Sequence, residues 1–419
     1  MSGATLPGVP DSDPDVEGDI DIDIDDADVD VEALTDRARA ILQAHWRDPG
    51  FCVPNATTYP WQWLWDSCFH AVCWAHLGDG DRAVAELTSL LAHQGADGFV
   101  PHMTYWRDGT THAGFWGRPD TSAITQPPMY GHAVAELHRL GLAVPDEVVE
   151  RATRGLRFVL DSRFRDGIGP VIVHPWESGC DDSPRWDAWY RTPWTFGNGK
   201  VVKGELVDAL VAADGSRLRS DGSPGGSTRF EVASSGFAAL VAFNALELAG
   251  VTGDGRLRAE ARSVADGLDA RWDAARSTWP DRVVVGPSAT AGVRTLDALL
   301  PVLVSADDVV VTRAFAEIDD DRAFGGRCGP AATHRQEPTF DPQAYWRGPA
   351  WPQLTYLLWV AATRRGLEPV ASGLRGRLVA GALKSGFAEY WHPDTGAGLG
   401  AVPQSWSALA AVVVQAPRA

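Results

Sequence analysis

Lysine is nearly missing from this chain of 419 residues: of its 37 basic side chains only Lys200, Lys203 and Lys384 are lysines. A GC-rich genome or a high-salt cytoplasm would each produce that bias. Cysteine is scarce as well, with five residues at 52, 68, 73, 180 and 328 and no CxxC pair. An odd, irregular set excludes a disulfide framework and fits reduced thiols, so a cytoplasmic location is expected. No run approaches the ~18 apolar residues of a membrane span, and the first residues lack the basic and apolar regions of a secretory signal. There is no HExxH, no clustered Cys/His ligand set, no P-loop and no GxSxG elbow, so neither a metal nor a cofactor is expected. Basic residues are also absent from residues 1–32, which hold twelve acids and leave only −6 of the net charge of −18 to the remainder. A mildly acidic body has no basic face for phosphates, which excludes nucleic acid as a partner. Twelve unpaired acids cannot bury a face, and residues 1–32 are expected to be a disordered acidic leader.

What is present is apolar periodicity. Segments with helical spacing recur at 33–46, 66–77, 80–93, 122–141, 145–162, 229–249, 253–271, 293–304, 306–318, 349–365, 369–386 and 404–415. Pro145-Asp146 opens one of them and Gly250 is the expected stop of another. Strand candidates such as Val283-Val284-Val285 are short and scattered, so the fold class is all-α. The connections alternate between short links such as Gly78-Asp79-Gly80 and long aromatic-rich ones at 94–121, 163–204, 319–348 and 387–403. Paired helices in an (α/α)6 barrel, or toroid, produce that alternation, with the loaded loops at one mouth. The domain expectation is therefore a leader at 1–32 and one barrel at 33–419.

The loaded loops share a recipe of carboxylates among aromatics. Residues 174–187, His-Pro-Trp-Glu-Ser-Gly-Cys-Asp-Asp-Ser-Pro-Arg-Trp-Asp, hold four acids, two tryptophans and an arginine where Pro175, Gly179 and Pro184 bar a continuous helix. A solvated acidic turn has no use for two indoles, whereas a sugar cleft stacks the C–H faces of its ligand on them. Tyr59-Pro60-Trp61-Gln62-Trp63-Leu64-Trp65-Asp66-Ser67 places three tryptophans at alternate positions before a helix that Asp66 or Ser67 is expected to cap. Gln126 precedes Pro127-Pro128, and a stiff backbone suits a fixed amide. Tyr345-Trp346-Arg347-Gly348-Pro349-Ala350-Trp351 and Glu389-Tyr390-Trp391-His392 follow the same recipe, while His102 reads as a structural histidine. Taken singly, Gln126 could equally be a plain loop residue, and Glu389 would more often be a solvated surface acid. Carboxylate chemistry in an aromatic cleft is what glycoside hydrolysis requires.

These motifs resemble glycoside hydrolase family 63, and within it the bacterial mannosylglycerate and glucosylglycerate hydrolases. The resemblance runs from about residue 34 to 416 through the 59–67, 176–181, 345–351 and 389–396 motifs, with Ser405-Trp406-Ser407 after them. It implies an (α/α)6 barrel and hydrolysis of an α-glycosidic bond with inversion. It also implies that Asp181 is the general acid and Glu389 the general base. Tyr59, Trp61, Trp63, Trp65, Asp66, Gln126, Trp176, Tyr345, Trp346, Arg347 and Trp351 would surround the sugar. The departure is at 186–236, where the tyrosine-rich segment of glycerate-type enzymes gives way to Pro193-Trp194-Thr195-Phe196-Gly197-Asn198-Gly199-Lys200 and a Gly/Ser-rich stretch from 214 to 229. That difference bears on the leaving group. The expected partner is a small glucoside or mannoside; the rivals are an α-glucan or trehalose hydrolase on the same barrel, and a sugar-binding barrel without turnover.

Overall fold

The computed structural model describes residues 30–212, 226–287 and 292–415. Most of the expected leader lies outside them, but its last residues do not. Asp30 accepts from the Ala33 backbone N–H at 2.9 Å and caps α1 (Val31–His45), so Val31 and Glu32 belong to a helix.

The remaining helices are α2 (Leu64–His76), α3 (Gly80–Ala92), α4 (Ala113–Trp116), α5 (Tyr130–Arg139), α6 (Asp146–Ser162), α7 (Phe196–Val211), α8 (Ser235–Thr252), α9 (Gly255–Asp269), α10 (Asp308–Asp319), α11 (Pro352–Arg364), α12 (Glu368–Lys384) and α13 (Leu409–Gln415). A 3₁₀ segment at Leu296–Leu303 takes the place of one α-helix. Pro301 lies inside it and removes a backbone donor, which is why the expected helix at 293–304 is not α.

Contacts close these elements into a ring. Running α2, α5, α8, Leu296–Leu303, α11, α13 and back to α2, each inner element touches the next. Each also has an outer companion, in the same order α3, α6, α9, α10, α12 and α1. Six such pairs make the (α/α)6 toroid. The sequence writes the two layers differently. Outer α6 buries one stripe (Val148, Ala152, Leu156, Val159), and α9 does likewise (Leu257, Ala261, Val264, Leu268), as amphipathic helices do. Inner α2 is buried from Leu64 to Ala75. Inner α8, long and apolar enough to raise the question of a membrane span, is buried among α5, α6 and α9.

Chain order puts every outer-to-inner connection at one end of the ring, and these are the long ones: 46–63, 93–129, 163–234, 270–295, 320–351 and 385–404. The N-termini of the inner helices open towards that end. Short antiparallel ladders stiffen the connections, among them Gln62–Trp63 against Met103–Thr104 and Tyr390–Trp391 against Gly398–Leu399. Ala350 bridges to Trp391, which ties the approach to α11 to the Glu389 segment.

Several boundaries differ from expectation. The 122–141 segment is helical only from Tyr130, because Pro127-Pro128 holds its first part extended. Residues 231–233 form a strand against Arg282–Val285, and the following helix runs through Gly250 to stop at Gly253, whose φ of +73° ends it. Trp63, not Asp66 or Ser67, is the N-cap of α2, and no side chain caps it. The largest difference is α7, which occupies part of what reads as the 163–204 loop. Thr195 caps it, accepting from Asn198 N–H at 3.1 Å, and Val202, Lys203, Leu206, Val207 and Leu210 face inward. Glycines 197, 199 and 204 mask its periodicity. All five cysteines are buried, unpaired thiols.

Candidate active site

The four carboxylates of residues 174–187 have four different fates. Glu177 is fully buried, receives two hydrogen bonds from the Arg163 guanidinium at 2.8 and 3.0 Å, and accepts from the backbone N–H groups of Val173 (2.7 Å) and Thr125 (3.1 Å). It is a structural anchor. Asp187 holds Arg347 in a two-pronged pair, and the guanidinium lies 3.7 Å from the Trp194 ring. Asp182 is sealed from solvent and accepts from Lys203 Nζ at 2.9 Å. Burial pushes Asp182 up to about 6, against the pull of Lys203. Asp181 keeps 14% of its side chain exposed, less than the 28% of Asp187, but no arginine claims it; its Oδ2 accepts from Lys203 Nζ at 2.7 Å.

The loop around Asp181 is rigid. Gly179, at φ +76°, makes a turn whose Cβ position lies 2.7 Å from the Trp65 ring, so only glycine fits. The Trp186 indole donates to Cys180 O at 2.8 Å, and the Tyr190 hydroxyl donates to Asp181 O at 2.5 Å. Arg185 points away, into Asp281 and Asp297.

Across the mouth, Glu389 sits on the connection from α12 to α13 and is 3% exposed. Its Oε1 accepts from the Tyr59 hydroxyl and its Oε2 from Ala401 N–H, each at 3.0 Å. Burial raises its pKa to about 7; the two hydrogen bonds favour the carboxylate, and the nearby charge of Asp181 opposes it. Tyr345 packs edge-on against Trp351 and Tyr390, and its hydroxyl is raised by burial first, then by Asp181, Tyr59 and Glu389. Asp66, in the first turn of α2, is pushed well up by burial and by Glu389. A buried carboxyl held near neutrality opposite a more open one suits proton-transfer chemistry.

Of the residues singled out in the sequence, Tyr59, Trp61, Trp63, Trp176, Tyr345 and Asp181 keep partial exposure, while Trp65, Asp66, Gln126, Trp346, Arg347, Trp351 and Glu389 are buried. The tryptophans form packed stacks. Trp346, held at φ +61°, lies flat on Trp351 with centroids 3.6 Å apart, and Trp351 lies on Tyr390 at 4.5 Å. Trp65 and Trp351 both meet Trp406 edge-on. Trp63 meets Tyr59 and His102 edge-on, and His102 stacks on Trp176 while contacting Ser122 Oγ at 2.5 Å. Gln126 Oε1 takes a long bond, 3.5 Å, from Trp65 N–H. The buried indole N–H groups of Trp63, Trp346 and Trp351 make no hydrogen bond among the described residues. The part-exposed faces of Tyr59, Trp61, Trp63, Trp176 and Tyr345 suit a polyhydroxylated ring.

Lys203, Tyr390, Asp187 and Trp194 were noted in the sequence but given no place in the site. The available signal was Lys200 and Lys203 together, two of the chain's three lysines, three residues apart just after the acid loop. The fold also gathers ligand-type side chains that no spacing announces, Cys52–His70–Glu86 and His132–Glu136–Glu247. In the second, Arg139 and Arg364 already pair with both glutamates.

Known proteins resemble this chain in sequence and in fold. Residues 59–407 match the model of the mannosylglycerate hydrolase MGH1-like glycoside hydrolase domain. Mannosylglycerate hydrolase of Thermus thermophilus is 30% identical over 422 residues, covering 90% of this chain and 99% of that enzyme. Glucosylglycerate hydrolase of Mycolicibacterium hassiacum is 30% identical over 421 residues, covering 84% and 91%. The crystal structure of the GH63 mannosylglycerate hydrolase from Thermus thermophilus, in complex with Tris and D-glycerate, superposes with a TM-score of 0.77 at 27% identity, covering 90% of this chain and 99% of that one.

Proposed function

Because this chain belongs to the mannosylglycerate hydrolase MGH1-like glycoside hydrolases and is itself a glycoside hydrolase, we propose that it cleaves the α-glycosidic bond of glucosylglycerate or mannosylglycerate with inversion, using Asp181 as acid and Glu389 as base. The observation that carries the assignment is the contrast between the two carboxyls: Asp181 is the one acid of its loop that is part-exposed and not paired to an arginine, and Glu389 is buried with its pKa raised to about 7.

In this reading Asp181 gives its proton to the glycosidic oxygen as the C1–O bond breaks. Water adds to C1 from the other face and passes a proton to Glu389. The products are the free sugar and the alcohol of the aglycone, and the two carboxyls reset their protons with solvent. Inverting pairs stand about 6.5–9.5 Å apart to admit that water. Tyr59 and Ala401 N–H orient the base, and the part-exposed rings of Trp63, Trp176 and Tyr345 offer walls to the sugar, with the buried Trp346–Trp351–Tyr390 stack behind Tyr345. The aglycone would lie on the Asp181 side, against the 186–212 segment.

The test incubates the enzyme with glucosylglycerate, mannosylglycerate, trehalose, kojibiose and maltooligosaccharides and follows the products by proton NMR before mutarotation. Release of the β-anomer from one of the glycerate glycosides, and its loss in Asp181→Asn and Glu389→Gln, is the expected result. A first-formed α-anomer overturns inversion, and preference for trehalose or maltooligosaccharides overturns the substrate assignment.

A further inference from the structure

Lys203 is a buried lysine in a chain that almost does without lysine. Its Nζ lies 2.7 Å from Asp181 Oδ2 and 2.9 Å from Asp182 Oδ2, over the Trp176 ring at 5.7 Å. Helix α7 is fitted to this purpose at a second point: a Cβ on Gly199, one turn earlier, would stand 2.7 Å from Asp182 Oδ1. The other charges near this group are placed differently. Arg347 is committed to Asp187, Lys200 is exposed with its Nζ over the Phe196 ring, and Glu389 lies beyond Asp181. The nearby Tyr190 hydroxyl donates to Asp181 O.

Two carboxyls and one ammonium carry a charge of −1 when both acids are ionised and zero when one proton is bound. Burial favours the neutral form. The unit therefore favours one bound proton, and Lys203 ties its two carboxyls together. Asp182 has no opening to the cleft, so only Asp181 can deliver that proton. With Oδ2 of Asp181 engaged by Lys203, Oδ1 is left for the glycosidic oxygen.

We propose that Lys203 is the positioning residue of the general acid: it binds Asp181 Oδ2, balances the sealed charge of Asp182, and so leaves Asp181 Oδ1 to carry the proton to the leaving group. The proposal rests on the reading of Asp181 as the acid. It is consistent with the direction in which burial moves Asp182, up to about 6, where a shared proton is held near neutral pH.

The experiment measures kcat and the pH profile of kcat/KM on the natural glycoside, and kcat on the matching α-glycosyl fluoride, whose leaving group needs no proton. Lys203→Met removes the cation between two carboxyls, which then hold their shared proton more tightly, so the alkaline limb moves up by about one pH unit or more. Its kcat on the glycoside falls by roughly 10²-fold, the scale of an impaired general acid, with less than about tenfold loss on the fluoride. Asp182→Asn keeps the cation and leaves Asp181 as its sole carboxylate partner, so the alkaline limb moves down. A residue of purely structural role would move neither limb and would damage both substrates alike, and that result overturns the proposal. Should Lys203→Met fail to fold, the Asp182→Asn limb decides alone: downward supports the assignment, unmoved or upward refutes it. Asp181→Asn is measured beside them. If it spares the glycoside, or loses glycoside and fluoride equally, the acid itself has been misassigned, an outcome distinct from failure of Lys203 alone.

Discussion

Replacing Tyr59 by phenylalanine removes one oxygen atom and tests how Glu389 is held. As the proposed base, Glu389 acts ionised, and its pKa of about 7 means that kcat/KM falls as pH drops through that value. Glu389 receives two hydrogen bonds, from the Tyr59 hydroxyl and from Ala401 N–H, and only the first is lost in Tyr59→Phe. A hydrogen bond to a buried charge contributes about 1.5–3 kcal/mol, which at 1.36 kcal/mol per pH unit is about one to two pH units. The bond favours the carboxylate, so its loss raises the pKa further. The acid limb of kcat/KM should therefore move from about 7 to about 8 or above, and activity at pH 7 should fall about fivefold or more as the ionised fraction drops from about a half to about a tenth. The assay is initial-rate kinetics from pH 5 to 10 on whichever glycoside the NMR screen selects, with Tyr105→Phe as a control away from Glu389. An acid limb that stays in place, or moves down, would show that the hydroxyl does not favour the carboxylate and would refute the argument.

Three further outcomes follow from the same geometry. Glu389 titrates at about 4.5 when free and about 7 in the fold, so its stability contribution is fully present below 4.5 and is lost as pH rises through 7, up to about 3 kcal/mol; Glu389→Gln should lose turnover yet gain more Tm at pH 8 than at pH 5, and an equal gain at both would contradict the linkage. Gly400 has φ +71° and its Cβ position lies 2.5 Å from Glu389 Oε2, so Gly400→Ala should destabilise by about 1–2 kcal/mol and displace the base, with kcat lowered at least tenfold in steady-state assays. Trp351 is fully buried between Trp346 and Tyr390, and Trp351→Ala should lower stability by about 3–5 kcal/mol in denaturant titrations, whereas Trp61→Ala, at a half-exposed residue, should lose less and act mainly on KM.

The architecture was legible because it is written in local patterns. Amphipathic stripes mark α6 and α9, near-continuous apolar runs mark α8, and the alternation of short and long connections marks a ring with one functional end. Boundaries were less legible where two signals compete. Pro301 turns an apolar helix into a 3₁₀ segment, and three glycines hide α7, which forms because its inward face packs on a second cluster with Met103, Tyr105, Trp116 and Val173.

The sequence by itself determined the all-α toroid, the aromatic loops and the presence of enough carboxylates for glycoside hydrolysis, since composition and periodicity depend only on neighbours along the chain. Which carboxylate does what was decided by tertiary structure. Glu177, Asp182 and Asp187 are chemically close to Asp181, and they differ in burial and in the cation each one meets: Arg163 at the C-terminal end of α6, Lys203 from α7 and Arg347 from the approach to α11. Asp181 shares Lys203 but keeps its opening to the mouth, and Glu389 acquires a pKa near 7 only once the ring closes around it. Solvation and the distance to an opposite charge set a carboxyl's proton affinity, and both are properties of the folded chain, not of the residue.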